Sequence, residues 1–244
     1  MAVYYDDLFH KQFGSAAKTR IYAVMAIVDE MFSEKDTLQT EVKVHTIAIE
    51  HAVGENWSVS NGKSWRNDVL GENLPTGKIA KSSPYNANLY VFVTGEGPGN
   101  DLGLASTGTV CNSGRGRRTS INKYAVGSEK GGDAYTAEVR IFITSNNKLT
   151  YYFIGIEVTL STRNLIHSLQ IIAHEIGHNL GMKHDFKGCP KCYNRVLDGK
   201  PCKGYMDYDD STNYWSHCSV KDFKSYINRQ SRFCLESLGG SGEL

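Results

Sequence analysis

The sequence lacks any apolar run long enough to cross a bilayer. Its longest strongly apolar stretch, Ile21 to Val28, falls far below the ~20 residues of a transmembrane helix, so no membrane span is expected. It also lacks an excess of charge of either sign: 27 basic and 26 acidic residues leave a formal net charge of +1. That balance gives no electrostatic footprint for nucleic acid or an anionic membrane surface, and neither is expected as a partner. Residues Met1 to Asp7 have no basic start and no apolar signal core. The start reads as trimmed, with Met1 added, and Leu238 to Leu244 reads as a flexible linker or cloning scar. There is no internal repeat and no low-complexity segment.

What is present suits one large domain or two small ones. The chain has 244 residues, 40% of them apolar, enough for a hydrophobic core. Of six cysteines, Cys189, Cys192, Cys202 and Cys218 lie close together in a loop-rich region. An even count clustered in this way points to disulfides and an oxidising compartment. The alternative is a second metal site built on Cys189-Pro190-Lys191-Cys192. Asn56-Trp57-Ser58 is a glycosylation sequon, a tripeptide common enough by chance to add little.

Periodicity places the elements. Val3 to Tyr5 ends a first strand, and Ile21, Val24, Met25, Val28, Met31 and Phe32 put one long amphipathic helix over Ala16 to Phe32. Val42 to Glu50 alternates like a strand buried in part on both faces. Asn61-Gly62 marks a turn before a helix from Lys63 to Glu72, and Leu89 to Thr94 is a strand stopped by Gly95 to Gly99. Gly103 to Cys111 is a glycine-containing strand candidate, followed by a solvated basic turn, Gly114 to Arg118. Glu138 to Thr144 and Leu149 to Val158 flank a turn and read as a hairpin. Ser161 or Thr162 caps a further helix. Alternating strands and helices predict an α/β chain (α+β by some schemes), with helices packed on a mixed twisted sheet. A smaller, disulfide-tied C-terminal subdomain follows. The expected division is 1–184, 185–236 and a tail, 237–244.

That last helix carries His174-Glu175-Ile176-Gly177-His178-Asn179-Leu180-Gly181-Met182-Lys183-His184-Asp185. Leu165, Leu169, Ile172 and Ile176 form its buried stripe. His174 and His178, four apart, sit one turn from each other on one face and can reach a single tetrahedral ion. Gly181 suits a left-handed helix end, after which the chain can return His184 as a third ligand. Three neutral histidines leave a fourth position for water, the mark of a catalytic rather than a structural zinc site. Glu175 is placed to take a proton from that water and pass it to a leaving amine. His10, His45, His51, His167 and His217 have no partner spacing and read as structural or exposed.

The motif HExxHxxGxxHD resembles that of the metzincin metalloproteases, and Asp185 after the third histidine resembles the adamalysin or reprolysin branch. That branch includes snake venom metalloproteases and ADAM and ADAMTS catalytic domains. Gly103 to Cys111 is similar to the branch's GLA-x-x-G-x-x-C strand, and Tyr214 to Ser219 with Phe233-Cys234-Leu235 to its C-terminal elements. The resemblance implies the metzincin fold and a secreted or extracellular zinc metalloendopeptidase, with one catalytic zinc, acting on protein or peptide substrates as a monomer. A prodomain or protein inhibitor would be a further partner. It implies a methionine turn at Met206 beneath the histidines, and disulfides Cys111–Cys234, Cys189–Cys218 and Cys192–Cys202. It implies that Gly103 to Cys111 is a sheet edge to which a peptide adds antiparallel, with Leu104, Ala105 and Gly108 the residues to watch. Tyr208, two after Met206 where the branch often has proline, is a candidate contact for the metal or the oxyanion. Calcium at the branch's usual site is not expected, because the aligned Tyr85 and Ser237 are poor ligands. Residues 125–159 form an insertion relative to the family. It could border the cleft or be a surface elaboration. Two other functions compete: an adhesion module on a dead protease domain, which retention of Glu175 and all three histidines disfavours, and a metal hydrolase for a non-protein substrate.

Overall fold

In a computed structural model, the structure describes residues 1–33, 38, 42–57, 75–96, 102–111, 119–123, 134–135, 140–145, 148–153, 160–185, 196–197, 200–201, 203–207 and 214–230. The organising element is strand β1 (Ala2–Tyr5). It pairs in parallel with β2 (Ala48–His51) on one side and β3 (Tyr90–Thr94) on the other. Next to β3 lies parallel β5 (Thr119–Lys123), and antiparallel β4 (Gly103–Ala105) closes the order β2-β1-β3-β5-β4. A mixed sheet with packed helices is what alternating elements predict. The parallel strands AVYY and YVFVT are buried throughout, as expected of strands covered on both faces.

Side-chain alternation divides the core in two. Val3, Tyr5, Ile49, Val91 and Val93 face one apolar layer, which also takes Ile21, Val24, Met25, Val28, Met31 and Phe32 from helix α2 (Ala17–Ser33). Ala2, Tyr4, Ala48, Tyr90 and Phe92 face the other, with Trp57 and with Ala80 of helix α3 (Pro75–Ser82). The stripe read in residues 16–32 is therefore the face that α2 buries. Helix α4 (Thr162–Asn179) supplies Leu169, Ile172, Ala173 and Ile176 to the first layer.

Helix α1 (Asp7–Phe13) follows β1 directly. Asp6 caps it, accepting from Phe9 N at 2.8 Å. The same buried carboxylate accepts from Gly95 N at 3.1 Å and from Thr94 Oγ1 at 2.6 Å, tying the ends of β1 and β3 together. Burial raises its pKa, against the pull of those donors.

Two sequence expectations are corrected by where backbone donors go. The strand read over Val42 to Glu50 shrinks to β2, because Val42 N donates to Phe32 O, Val44 N to Asp29 Oδ1 and Ile47 N to Met1 O. Those donors fasten the segment to α2 and to Met1 rather than to a regular ladder. The strand read over Gly103 to Cys111 shrinks to β4, because Gly108, Thr109 and Val110 donate to the carbonyls of His178 and Asn179. Periodicity also passed over α1, α3, β5 and helix α5 (His217–Ile227).

Short two-stranded ladders join β6 (Ala134–Tyr135) to β9 (Leu160–Ser161), β7 (Arg140–Ser145) to β8 (Lys148–Phe153), and β10 (Val196–Leu197) to β11 (Lys200–Pro201). The β7–β8 ladder is antiparallel with Ser145 opposite Lys148, at the place read as a hairpin. Cys111 and Cys218 are disulfide-bonded, and no free cysteine occurs among the described residues. The helix expected over 63–72, the basic turn 114–118, Cys189, Cys192, Cys202, Cys234, Tyr208, Ser237 and the tail lie outside the described residues. No helix among the described residues is long and apolar enough to cross a membrane.

Asp6→Ala leaves the Phe9 and Gly95 N–H groups without the Asp6 acceptor in a buried site, while Thr94 Oγ1 keeps its bond to Trp57 O. It should lower stability by about 2–4 kcal/mol, measured as a fall in the urea midpoint at constant slope.

Candidate metal centre

Helix α4 presents His174, Glu175 and His178 from its last two turns. It ends in a Schellman motif: Gly181 N donates to His178 O at 2.8 Å, Met182 N to Gly177 O at 2.9 Å, and Gly181 has φ +90°. A left-handed residue here reverses the chain. The reversal brings His184 back over the helix end. His184 Nε2 then lies 3.1 Å from His178 Nε2 and 3.1 Å from His174 Nε2.

These nitrogens are aimed by hydrogen bonds at the opposite side of their rings. His174 Nδ1 lies 2.8 Å from Tyr205 O, and His178 Nδ1 2.9 Å from Met182 O. A carbonyl fixes the proton on Nδ1 and turns the Nε2 lone pair inward. Burial also keeps the rings neutral. Desolvation, with the nearby charges of His178 and His184, pushes His174 down to about 3 against the bond to Tyr205. Desolvation lowers His178 too, with the Met182 bond opposing. Lone pairs converging on one vertex repel unless a cation sits among them. Tetrahedral zinc with bonds of about 2.05 Å needs nitrogens about 3.3 Å apart. The three-histidine cluster fits such an ion.

Glu175 is buried at 7% exposure beside the cluster, and burial alone raises its pKa to about 8. The edge strand crosses directly in front of it: a Cβ built on Gly103 would strike the Glu175 carboxylate. On the far side of the helix, Met206 is fully buried, and a Cβ on Gly177 would lie 2.6 Å from its Sδ and 3.3 Å from Met182 Sδ and Trp215. Met206 thus packs against the helix turn between His174 and His178.

Asp185 ties the histidine loop to the segment that carries Met206. Its Oδ2 accepts from Gly204 N at 2.7 Å, and its Oδ1 accepts from Ser216 Oγ and, at 3.1 Å, from Ser219 Oγ. Its own N–H donates to Met206 O at 3.1 Å. Burial raises its pKa, and those three donors oppose the rise. Asn179 fastens the other side, donating from Nδ2 to Thr109 Oγ1 at 2.8 Å and to Ser106 O and Thr119 O at 3.2 Å.

The structure therefore brings together His174, His178, His184, Glu175, Gly181, Asp185 and Met206. Leu104 and Ala105 lie on the edge strand, and Gly108 lies beyond it in a turn with φ +71°. Tyr85 is elsewhere, its hydroxyl donating to Glu50 Oε1 at 2.7 Å.

Sequence reasoning missed Gly177, Gly103 and Tyr226. A glycine inside a helix costs about 1 kcal/mol against alanine, so Gly177 carried a legible hint of close packing. Tyr226 packs on Gly181 and Gly108 while its hydroxyl accepts from Cys111 N at 3.2 Å. No local pattern announced that.

A sequence model described as metallopeptidase family M12, reprolysin type, matches residues 1–223. The chain belongs to metallopeptidase family M12. Over 66 residues, 26% of this chain, it is 36% identical to A disintegrin and metalloproteinase with thrombospondin motifs 19 of Mus musculus. Over 68 residues, again 26% of the chain, it is 32% identical to snake venom metalloproteinase trimerelysin-2 of Protobothrops flavoviridis. The chain spans only 5% and 29% of the lengths of these two relatives. Among solved structures, archaemetzincin from Methanopyrus kandleri superposes with a TM-score of 0.46 at 12% identity, over 93% of this chain and 95% of that one.

Two outcomes follow for this M12 centre. Gly177→Ala pushes a methyl group into Met206 Sδ and should cost about 1–3 kcal/mol, with weaker zinc retention against a competing chelator. The folded metal-free chain holds the Glu175 proton to about pH 8, whereas an unfolded chain releases it near 4.5. The resulting stability is complete below pH 4.5 and is lost as pH rises through 8. Metal-free Glu175→Gln, which cannot ionise, should therefore gain on wild type across that window, by a few kcal/mol at about pH 9 in urea titrations.

Proposed function

We propose that this chain is a secreted zinc-dependent endopeptidase that cuts peptide bonds in protein substrates, with Glu175 as its general base. The observation that carries the reading is the convergence of three imidazole Nε2 atoms beside a buried glutamate, with β4, the last strand of the sheet among the described residues, in front of it. His174, His178 and His184 would hold the ion through Nε2. Bound there, zinc would supply Lewis-acid chemistry, activating water and polarising the scissile carbonyl. Positive charge at that vertex favours the Glu175 carboxylate over its protonated form. That carboxylate accepts a proton from water and delivers it to the leaving nitrogen. A substrate peptide adds antiparallel to Gly103–Ala105, whose other side is taken by β5.

The finer parts of the reading rest on the family resemblance. Met206 is the apolar floor of the site and not a ligand. Tyr208 is a candidate contact for the oxyanion, and unchanged turnover in Tyr208→Phe would remove it from that role. The disulfides pair as Cys111–Cys234, Cys189–Cys218 and Cys192–Cys202. A snake venom protein among the relatives and disulfide-bonded Cys111 and Cys218 favour an extracellular setting.

Cleavage of a mixed peptide library tests the core of this proposal. Cutting should vanish with a zinc chelator and return with zinc. Glu175→Ala should keep its zinc and lose at least about a hundredfold in rate. Chelator-insensitive cutting, or full activity in the variant, would refute the assignment.

A further inference from the structure

The edge strand lies unusually close to the glutamate at the centre of the proposed reaction. A Cβ on Gly103 would meet the Glu175 Oε1 atom, and would lie 2.6 Å from its Cγ and 2.7 Å from its Cδ. Alternation along β4 turns Leu104 away, against the sheet layer that holds Tyr4 and Phe92. Position 103 therefore faces α4. Its backbone is fixed from the other side, since Gly103 pairs with Asn122 of β5. The Glu175 backbone is fixed as well, inside a helix whose last carbonyls accept from Gly108, Thr109 and Val110. Only the glutamate side chain between these two backbones is free to move.

We infer that Gly103 is a positioning residue for Glu175: the missing side chain at 103 is the space in which the carboxylate stands. This rests on the reading of Glu175 as general base. Gly103 has an ordinary backbone conformation and is not among the glycines with positive φ, so freedom of rotation does not account for it. What a methyl group would strike is the far end of a flexible side chain, not backbone. Gly103→Ala should then be cheap in stability and costly in reaction rate, because the carboxylate must swing aside. A displacement of about 1 Å in a catalytic group can cost on the order of a hundredfold.

The test compares wild type, Gly103→Ala, Glu175→Asp and the double variant in the zinc-loaded full chain. Gly103→Ala should bind one zinc per chain and melt within about 2 °C of wild type. Its kcat should fall about ten- to a hundredfold, with KM changed less than about twofold. Aspartate is one methylene shorter and draws the carboxylate back from position 103, so in that background the added methyl group should change kcat less than about threefold. A cobalt-substituted set gives a readout independent of turnover: the d–d spectrum of Gly103→Ala should move toward that of Glu175→Ala.

Undiminished kcat in Gly103→Ala would overturn the inference, as would a loss carried wholly by KM, a matching loss of zinc, or an equal drop in the aspartate background. If wild type cuts no peptide, the protease reading fails instead. The cobalt spectra then decide the Gly103 inference alone: a spectrum unchanged from wild type overturns it, and a shifted one sustains the steric placement.

Discussion

The site depends on one chain reversal. Helix α4 can supply two histidines one turn apart, but it cannot supply a third at the same vertex, because the next position on that face lies another turn along the axis. The left-handed residue at Gly181 ends the helix and sends the chain back, so that His184 meets the Nε2 atoms of His174 and His178 at 3.1 Å. The turn is held on its outer side by Tyr226, whose ring occupies the space a side chain at 181 would need. It is held beyond His184 by Asp185, whose carboxylate collects donors from residues 204, 216 and 219. The C-terminal residues thus serve the metal centre by bracing the loop that completes it.

Around that reversal, close packing replaces space with contact at two glycines that have no need of unusual dihedrals. Gly177 lets Met206 approach the helix between its two histidines, and Gly103 lets β4 approach Glu175. The helix is therefore gripped from two sides, by a sulfur beneath and an edge strand above. Burial also sets the electrostatics. Desolvation keeps His174 and His178 neutral and their lone pairs available, and it holds Glu175 protonated until positive charge arrives. Such a centre is arranged for a cation and is under electrostatic stress without one.

Local signals made much of this legible. The 3.6-residue stripe of Ile21, Val24, Met25, Val28, Met31 and Phe32 is the buried face of α2, and the near-continuous apolar runs at β1 and β3 are central parallel strands. Readings failed where a segment's hydrogen bonds went elsewhere than periodicity implied. Val42 to Ile47 alternates like a strand but spends its donors on α2 and Met1, and Gly108 to Val110 spends them on the end of α4. Helix α3 opens on Pro75, Thr76 and Gly77, residues of low intrinsic helix propensity, and no sequence reading placed it. Its stability comes from burying Thr76, Gly77 and Ala80, which local propensity does not report.

By itself the sequence determined the chemistry: which side chains could bind a metal, that two shared a helix face, and that Gly181 could end the helix before a third. Those properties depend on residue type and on spacing of a few positions, which the polypeptide geometry converts directly into distance. The tertiary structure alone decided what surrounds that chemistry. Gly103 against Glu175 joins positions 72 residues apart, Tyr226 against Gly181 joins positions 45 apart, and Trp215 Nε1 reaches Met31 O across 184. Contacts at such separations exist only once the sheet and both helical layers have packed, so no local pattern carries them.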